Sequence, residues 1–515
     1  MSRLFILLIL LLLLSCCDAY KILVAVPKWR MYSSKQVMTS RCFLPVVLPE
    51  LRGNGTKKAR VILTETAEGV ADLMAAAQKD GAVAKIWSHS ANSVAGIHWS
   101  TNMLSRVSYL NAKKILKDQK LIESLKAEKF DIGITELFDF SCLALFHVIG
   151  LDNVVGAHTT SVFEGTLLSA GAPVLPSFVP GSQTYTDDST SLKSRLINMF
   201  MTYQSYKFHE QLLTDTQKAI DEVYGKKSFD LWERVRDITW FLVNSDPLFD
   251  FPKPLPVNII EIAGISVTAP KPVDEKWGEI LNRRKKNVLV SFGSLASTLT
   301  MPPAMKNAIT RALASFKDTT FIWKNDDANE KLAEDVENIV VTQWMPQNDL
   351  LGDKRITMFL THGGAGSLLE SALKGVPLMV VPCFGDQMRN AQIAKRHGMA
   401  VVYDKLDLVD EKKLTAALSE VLYNNKYKKA AELTSQILKS HPMGPREKLV
   451  HTVEMAGRFG KMPRWQSSSR NLNLLQYFCL DVFIYGFLAL GGIAFFFFWG
   501  LRRYFFEQPF KSKSE

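Results

Sequence analysis

The chain has little cysteine, no long run of basic residues and no internal repeat. Its six cysteines are spread over 515 residues. Cys16 and Cys17 fall in an apolar leader and Cys479 beside a second apolar run, which leaves Cys42, Cys142 and Cys383 without paired or metal-ligand spacing. A disulfide scaffold is therefore excluded, and nothing points to a metal site. The formal charge is +11, yet lysines alternate with acids, as in Lys120, Glu123, Lys126, Glu128 and Lys129. Without clustered cations and interleaved aromatics, a solvated surface explains the charge and a nucleic-acid partner is not expected. Two nucleotide fingerprints are also missing. The glycine cluster near residue 363 lacks the P-loop lysine, which disfavours ATP hydrolysis, and its spacing is not Gly-x-Gly-x-x-Gly. A dinucleotide-dependent epimerase or dehydrogenase would need the latter.

What is present describes a globular protein of two domains with apolar ends. Hydrophobic residues make up 47% and charged residues 22% of a chain too long for one compact core. Residues 4–14 are an unbroken apolar run behind Arg3, followed by Ser15, Cys16, Cys17, Asp18 and Ala19. This is the pattern of a secretory signal peptide over residues 1–19, cut near Ala19; the run is short for an uncleaved anchor. Residues 482–501 match the ~20 residues a helix needs to cross a bilayer. Arg502, Arg503, Lys511 and Lys513 follow, so the positive-inside rule puts a cytosolic tail at 502–515 and the rest in the lumen. The lysines three and five positions from the end resemble a dilysine retrieval signal, pointing to the endoplasmic reticulum membrane and a single-pass type I topology. Asn54-Gly55-Thr56 is a glycosylation sequon compatible with that side.

Strand-like and helical stretches alternate along the interior. Tyr20-Lys21-Ile22-Leu23-Val24 and the run 129–134 read as buried strands, and 220–243 as helical with an aromatic face. Phe251-Pro252-Lys253-Pro254-Leu255-Pro256 breaks regular structure and starts the interdomain connection, giving domains of 20–255 and 256–470. Beyond it, strands are expected at 287–292, 320–323, 338–341, 356–361 and 376–381, with a helix at 303–315. Strands without polar alternation, separated by helices, argue for parallel sheets covered on both faces, an α/β class. Such sheets bind ligands at the carboxyl ends of their strands.

The unusual residues fall at those ends. Thr361-His362-Gly363-Gly364-Ala365-Gly366-Ser367 joins a strand to a helix, with Glu370 one turn on. Glycines there let backbone N–H groups approach an anion closely, and the helix N-terminus adds its positive dipole end. Trp344 and Gln347 lie upstream, an indole for stacking on a base and an amide for its edge. Asp386 and Gln387 lie downstream and can pair with sugar hydroxyls, while the Glu370 carboxylate suits a ribose diol. Indole, amide, phosphate cradle and hydroxyl clamp together describe a nucleotide sugar.

The stretch 344–391 resembles the signature of the UDP-glycosyltransferase family of glucuronosyl- and glucosyltransferases, and the likeness extends over most of the lumenal chain, nearest to invertebrate and particularly nematode members. The resemblance implies a GT-B fold, two Rossmann-like domains facing across a cleft, with the acceptor site in the N-terminal half and the donor site in the C-terminal half. It implies transfer of glucose or glucuronic acid from a UDP-sugar to a small lipophilic acceptor, with inversion, no metal and no cofactor beyond the UDP-sugar co-substrate. It leaves open homo- or hetero-oligomers in the membrane. Carried over, Trp344 stacks on uracil, Gln347 holds the base or ribose, and Glu370 binds ribose hydroxyls. His362, Gly364, Gly366 and Ser367 hold the diphosphate with Gly293 and Ser294, and Asp386 and Gln387 contact the sugar. Many relatives carry Asn where this chain has Gly366, so only backbone remains there. A glucuronate donor would call for a cation, for which Arg389 is near in sequence.

The acceptor half departs from the family. Its members place a base histidine in the loop after the first strand, oriented by a downstream Asp. Here residues 27–35 contain no histidine, and residues 29–53 depart from the usual strand–helix pattern. Glu136 stands where the Asp is expected, and Asp139 is a second candidate. Three readings stay open: an error in the deduced exons over 29–53, a base supplied by Glu136, His89 or His98, or a catalytically impaired UDP-sugar-binding paralogue or partner subunit. His89 and His98 read as surface or packing residues.

Overall fold

The structure, a computed structural model, describes residues 20–25, 37–45, 58–79, 85–90, 93–293, 296–327, 330 and 332–506. The expected leader 1–19, the loop 27–35, the sequon, Ser294 and the last residues of the tail lie outside these.

Two all-parallel sheets organise the chain. The first has seven strands in the order β3-β2-β1-β4-β5-β6-β7. They are β1 Ile22–Ala25, β2 Val37–Pro45, β3 Lys58–Thr64, β4 Ile132–Glu136, β5 Val154–His158, β6 Trp240–Val243 and β7 Ile259–Glu261. The second has six, in the order β10-β9-β8-β11-β12-β13. These are β8 Lys286–Ser291, β9 Thr319–Lys324, β10 Ile339–Thr342, β11 Ile356–Thr361, β12 Leu378–Val380 and β13 Ala400–Val402. In each sheet the order reverses beside the first strand, which opens a crevice at the carboxyl ends.

The central strands of both sheets are apolar on both faces, as parallel strands are when helices cover each side. In β1 and β6, Leu23, Ala25, Phe241 and Val243 join one core while Ile22, Val24, Trp240 and Leu242 join the other. The first core is roofed by helices α1 Val94–Lys117 and α2 Leu192–Tyr224. In the second sheet Val288, Val290 and Trp323 face one core, and Leu289, Ile322 and Phe359 the opposite one.

The sheets do not part at residue 255. β7 lies beyond that point and pairs in parallel with β6, Phe241 beside Ile259. The far side of the first sheet is covered by a helix from the end of the chain, α3 Pro445–Phe459. Its Leu449, Val453 and Ala456, spaced for one helical face, are buried against Ile22, Ile134 and Leu242. Burying Leu449 and Val453 is worth about 1.5–3 kcal/mol each. Pro445 and the Gly444 N–H donating to Glu447 Oε2 (3.1 Å) start α3, and Gly460, at φ 61°, ends it.

The helix expected at 220–243 is corrected. α2 stops at Tyr224 because Gly225 takes φ 89°, a short helix Leu231–Arg236 follows, and 240–243 becomes β6. Four consecutive apolar residues buried on both faces of a sheet carry no period that separates them from a buried helix. The strands expected in the second half form within two or three residues of their expected bounds. Phe251–Pro256 is irregular, as expected. Helix α4 Leu480–Phe506 contains the run 482–501; it is long and apolar enough to cross a bilayer, and its apolar surface is exposed.

Candidate active site

The glycine turn follows β11. Thr361 pairs with Ser291 of β8, so the turn after β8 stands beside the turn after β11. Gly363 adopts φ 82°, and a Cβ there would lie 2.6 Å from Val380 Cγ1. A Cβ on Gly364 would meet His362 Nε2 at 2.7 Å, and one on Gly293, at φ 80°, would meet the same imidazole at 2.5 Å. Two glycines, Gly293 and Gly364, thus press on the His362 ring, and a side chain at either would collide with it. Burial, with Lys324 nearby, lowers the His362 pKa to about 4, so the ring is neutral. Gly364 then caps helix α5 Ala365–Lys374, whose first turn has no side-chain cap. Gly366 and Ser367 are buried in that turn, at the positive end of the helix dipole.

Trp344, Gln347, Ser367 and Glu370 gather on one flank. Trp344 follows β10 with its indole 55% exposed, and Thr342 Oγ1 donates to its carbonyl at 2.8 Å. Gln347 Nε2 donates to Ser367 Oγ at 3.1 Å and to Glu370 Oε2 at 2.5 Å. Burial raises the pKa of Glu370, and Gln347 and Lys374 counter it. A large exposed indole beside a buried polar triad is a ready stacking face.

Asp386 and Gln387 occupy the turn after β12, on the other flank. Asp386 Oδ2 accepts from Asn390 Nδ2 at 2.8 Å, and the same amide donates to the Gly363 carbonyl at 3.0 Å. Asn390 ties the two turns together; its spacing of four from Asp386 on one helix was the signal for it. Gln387 Oε1 accepts from the Cys383 and Phe384 amides at 2.8 and 3.1 Å. The side-chain carbonyl of Gln387 is engaged by its own turn, so a role toward a sugar falls to its NH2 end.

Arg389 is held within the protein. Its guanidinium pairs with Asp250 Oδ1 at 2.6 Å, lies over the Phe251 ring and is only 2% exposed. Burial alone would raise the pKa of Asp250; Arg389 and Lys253 override it and hold it at about 2. The arginine fastens helix α6 Gln387–Arg396 to the segment after β6.

In the N-terminal half, Glu136 ends β4 one residue past the pairing of Thr135 with Ala25 of β1, at the switch point of the sheet. Its Oε1 accepts from the Thr159 amide at 3.3 Å, while Oε2 is buried without a partner among the described residues. Burial pushes its carboxyl up to about 8. Asp139 is placed differently. Its Oδ1 accepts from Ser108 Oγ of α1 at 2.8 Å and from the Ser141 amide at 2.9 Å, inside the helical layer. That oxygen ties helices together, while its Oδ2, like Oε2 of Glu136, is buried without a partner among the described residues. His89 and His98 are exposed; His98 Nε2 lies 3.2 Å from Gln204 Nε2. Between the two domains a cleft is lined by Ser161, Asn244 and Asp250 on one side and by Ala365, Arg389 and Asn390 on the other.

The sequence profile of the UDP-glucuronosyl and UDP-glucosyl transferase family matches residues 59–514. Human UDP-glucuronosyltransferase 1A10 is 29% identical over 381 residues, 73% of this chain and 69% of that protein. The Caenorhabditis elegans chain ugt-60 is 29% identical over 374 residues, 71% of this chain and 73% of that one. Among solved structures, the complex between a Polygonum tinctorium UDP-glucosyltransferase and 3,4-dichloroaniline is similar at TM-score 0.56 and 14% identity, covering 85% of this chain and 99% of that one. Medicago truncatula UGT71G1 complexed with UDP-glucose is similar at TM-score 0.54 and 14% identity, covering 85% and 97%. These structures share the GT-B fold of two facing parallel-sheet domains. The chain belongs to the UDP-glucuronosyl and UDP-glucosyl transferase family and is a glycosyltransferase.

Proposed function

We propose that the chain transfers glucose or glucuronic acid from UDP to a hydroxyl of a small lipophilic acceptor, with inversion and without a metal. The observation that carries this reading is the bare turn from His362 to Gly366, where glycines and uncapped helix amides leave backbone donors for a diphosphate. In this reading Trp344 stacks on uracil, Gln347 meets the base or ribose and Glu370 the ribose hydroxyls. Asp386 and the amide NH2 of Gln387 hold the sugar. Glu136 takes the proton from the acceptor hydroxyl as its oxygen attacks the anomeric carbon and UDP leaves from the opposite face. A carboxylate raised to about 8 is a competent base near neutrality. The domains face the lumen of the endoplasmic reticulum, and α4 crosses its membrane once.

A second reading, a UDP-sugar-binding paralogue with impaired catalysis, has its own support. Residues 27–35 hold no histidine. Only residues 26–36 join the parallel neighbours β1 and β2, fewer than the dozen or more such a crossover ordinarily spans. Calorimetric titration with UDP, followed by a donor screen in microsomes, tests both. The favoured outcome is UDP binding in the native chain and in Asp386→Ala, with transfer lost only in the variant. Absence of heat from UDP, or normal turnover by Asp386→Ala, sinks the donor assignment. UDP binding without turnover on any donor selects the second reading, and a transcript across codons 27–55 that encodes no histidine would accompany it.

A further inference from the structure

A short helix of the N-terminal domain buries one side chain, Trp87, in the other domain. Lys85–Ser88 lies in sequence between helix Val70–Lys79 and α1, both part of the first domain. Trp87 nevertheless is wholly buried among Val290, Phe292, Met305 and Ile309 of the C-terminal core. Its ring meets that of Phe292 edge-on at 5.3 Å, and its indole N–H donates to the Ser297 carbonyl at 3.1 Å. Phe292 and Ser297 flank the turn after β8 that contains Gly293.

The same short helix also reaches the turn after β12. The buried ammonium of Lys405 donates to the Ile86 carbonyl at 2.5 Å and to the Cys383 carbonyl at 2.7 Å. The Cys383 amide in turn donates to Gln387 Oε1. One ammonium therefore joins the N-terminal segment to the turn that carries Asp386 and Gln387. A buried cation and a buried indole N–H both need partners, so removing either end leaves unsatisfied groups. The two walls of the cradle, Gly293 on one side and Asp386 on the other, are both braced by residues 86 and 87.

We propose that Trp87 is a positioning residue for the donor: with the Lys405 clasp it sets the spacing of the two turns between which the diphosphate and sugar lie. The N-terminal domain thereby contributes to donor affinity without touching the donor. This rests on the donor-site reading above.

The test uses the full-length protein in detergent and three variants. Trp87→Phe keeps a ring against Phe292 but removes the N–H, Lys405→Met keeps the apolar stem but removes the ammonium, and Trp87→Ala removes both packing and donor. Loss of the one hydrogen bond in Trp87→Phe predicts that the UDP Kd and the donor KM rise about three- to tenfold, and loss of the two in Lys405→Met predicts a rise at least as large. The acceptor KM and kcat stay within about twofold, because the acceptor side is untouched. Trp87→Phe should recover much of what Trp87→Ala loses. A lowered melting temperature with unchanged UDP Kd and donor KM would make Trp87 a mere core plug and overturn the proposal. Should Trp87→Phe fail to fold, Lys405→Met decides on the same readouts. A native chain that binds no UDP overturns the donor reading and this proposal together, whereas variants that bind UDP like the native chain overturn this proposal alone.

Discussion

The two halves of the chain share one architecture and differ in how their sites are built. On the C-terminal side the candidate site is made largely of backbone: glycines around His362 and uncapped amides at α5, with Gln347 already bonded to Ser367 and Glu370 and Asn390 to Gly363 and Asp386. On the N-terminal side the candidate chemistry rests on one buried carboxyl, Glu136, with an oxygen that meets nothing among the described residues. A site of backbone is specified by turn geometry and survives as a recognisable motif. A site of one side chain depends on what the neighbouring loop supplies.

The sharpest way to break this comparison is Glu136→Gln. If Glu136 is the base, transfer falls by about 10²–10⁴ while the UDP Kd is unchanged; equal loss of both would tie it to folding instead. The same variant carries a pH signature. The folded carboxyl keeps its proton to about 8, whereas an ordinary one releases it near 4.5. Between those values the folded state binds more protons, so native stability falls as pH rises through the window. Gln removes the titration, and the variant should melt higher than the native chain at pH 8 and alike at pH 4.

Next in size is Arg389→Met. Leaving Asp250 buried without its guanidinium should cost about 3–5 kcal/mol, towards the lower end because Lys253 remains paired with Asp250. Chemical denaturation measures the loss. The ratio of KM for UDP-glucuronic acid to that for UDP-glucose should not move, and a selective rise for the glucuronate donor would return Arg389 to the sugar. Smallest is Gly363→Ala, where the left-handed backbone and the contact with Val380 predict about 1–3 kcal/mol of strain and weaker UDP binding. Gly385→Ala is the comparison, since its φ is 64° but nothing lies within 4 Å of the added carbon; its UDP Kd should shift less.

What was legible in the sequence follows the same divide. The cradle could be read because its parts are contiguous: strand, glycines and helix start lie within 356–374, and the clamp within 384–391. The strands of the second sheet were legible for a similar reason, being short apolar runs between clear helices. Roles set by distant partners were not. Arg389 stands next to the clamp in sequence but is claimed by Asp250 from the segment after β6. Asp139 had a plausible spacing, yet its partners Ser108 and Ser141 place it in packing. Trp87 carries no sequence signal of its role, because its core belongs to a domain that begins far downstream. The reading of 220–243 as one helix failed at Gly225, whose left-handed backbone no apolar periodicity reveals.

Helix α3 has a consequence for how the chain is made. The first sheet gains its last strand at Glu261, but the helix that covers its far face ends at Phe459. At about 5–20 residues per second, ribosomes need about 10–40 s to supply that cover. During this interval Ile22, Val24, Ile134 and Leu242 would stand open to water while the second domain emerges. Nascent protein of this kind is therefore a client for chaperones, and any chain cut short before residue 445 would stay one permanently.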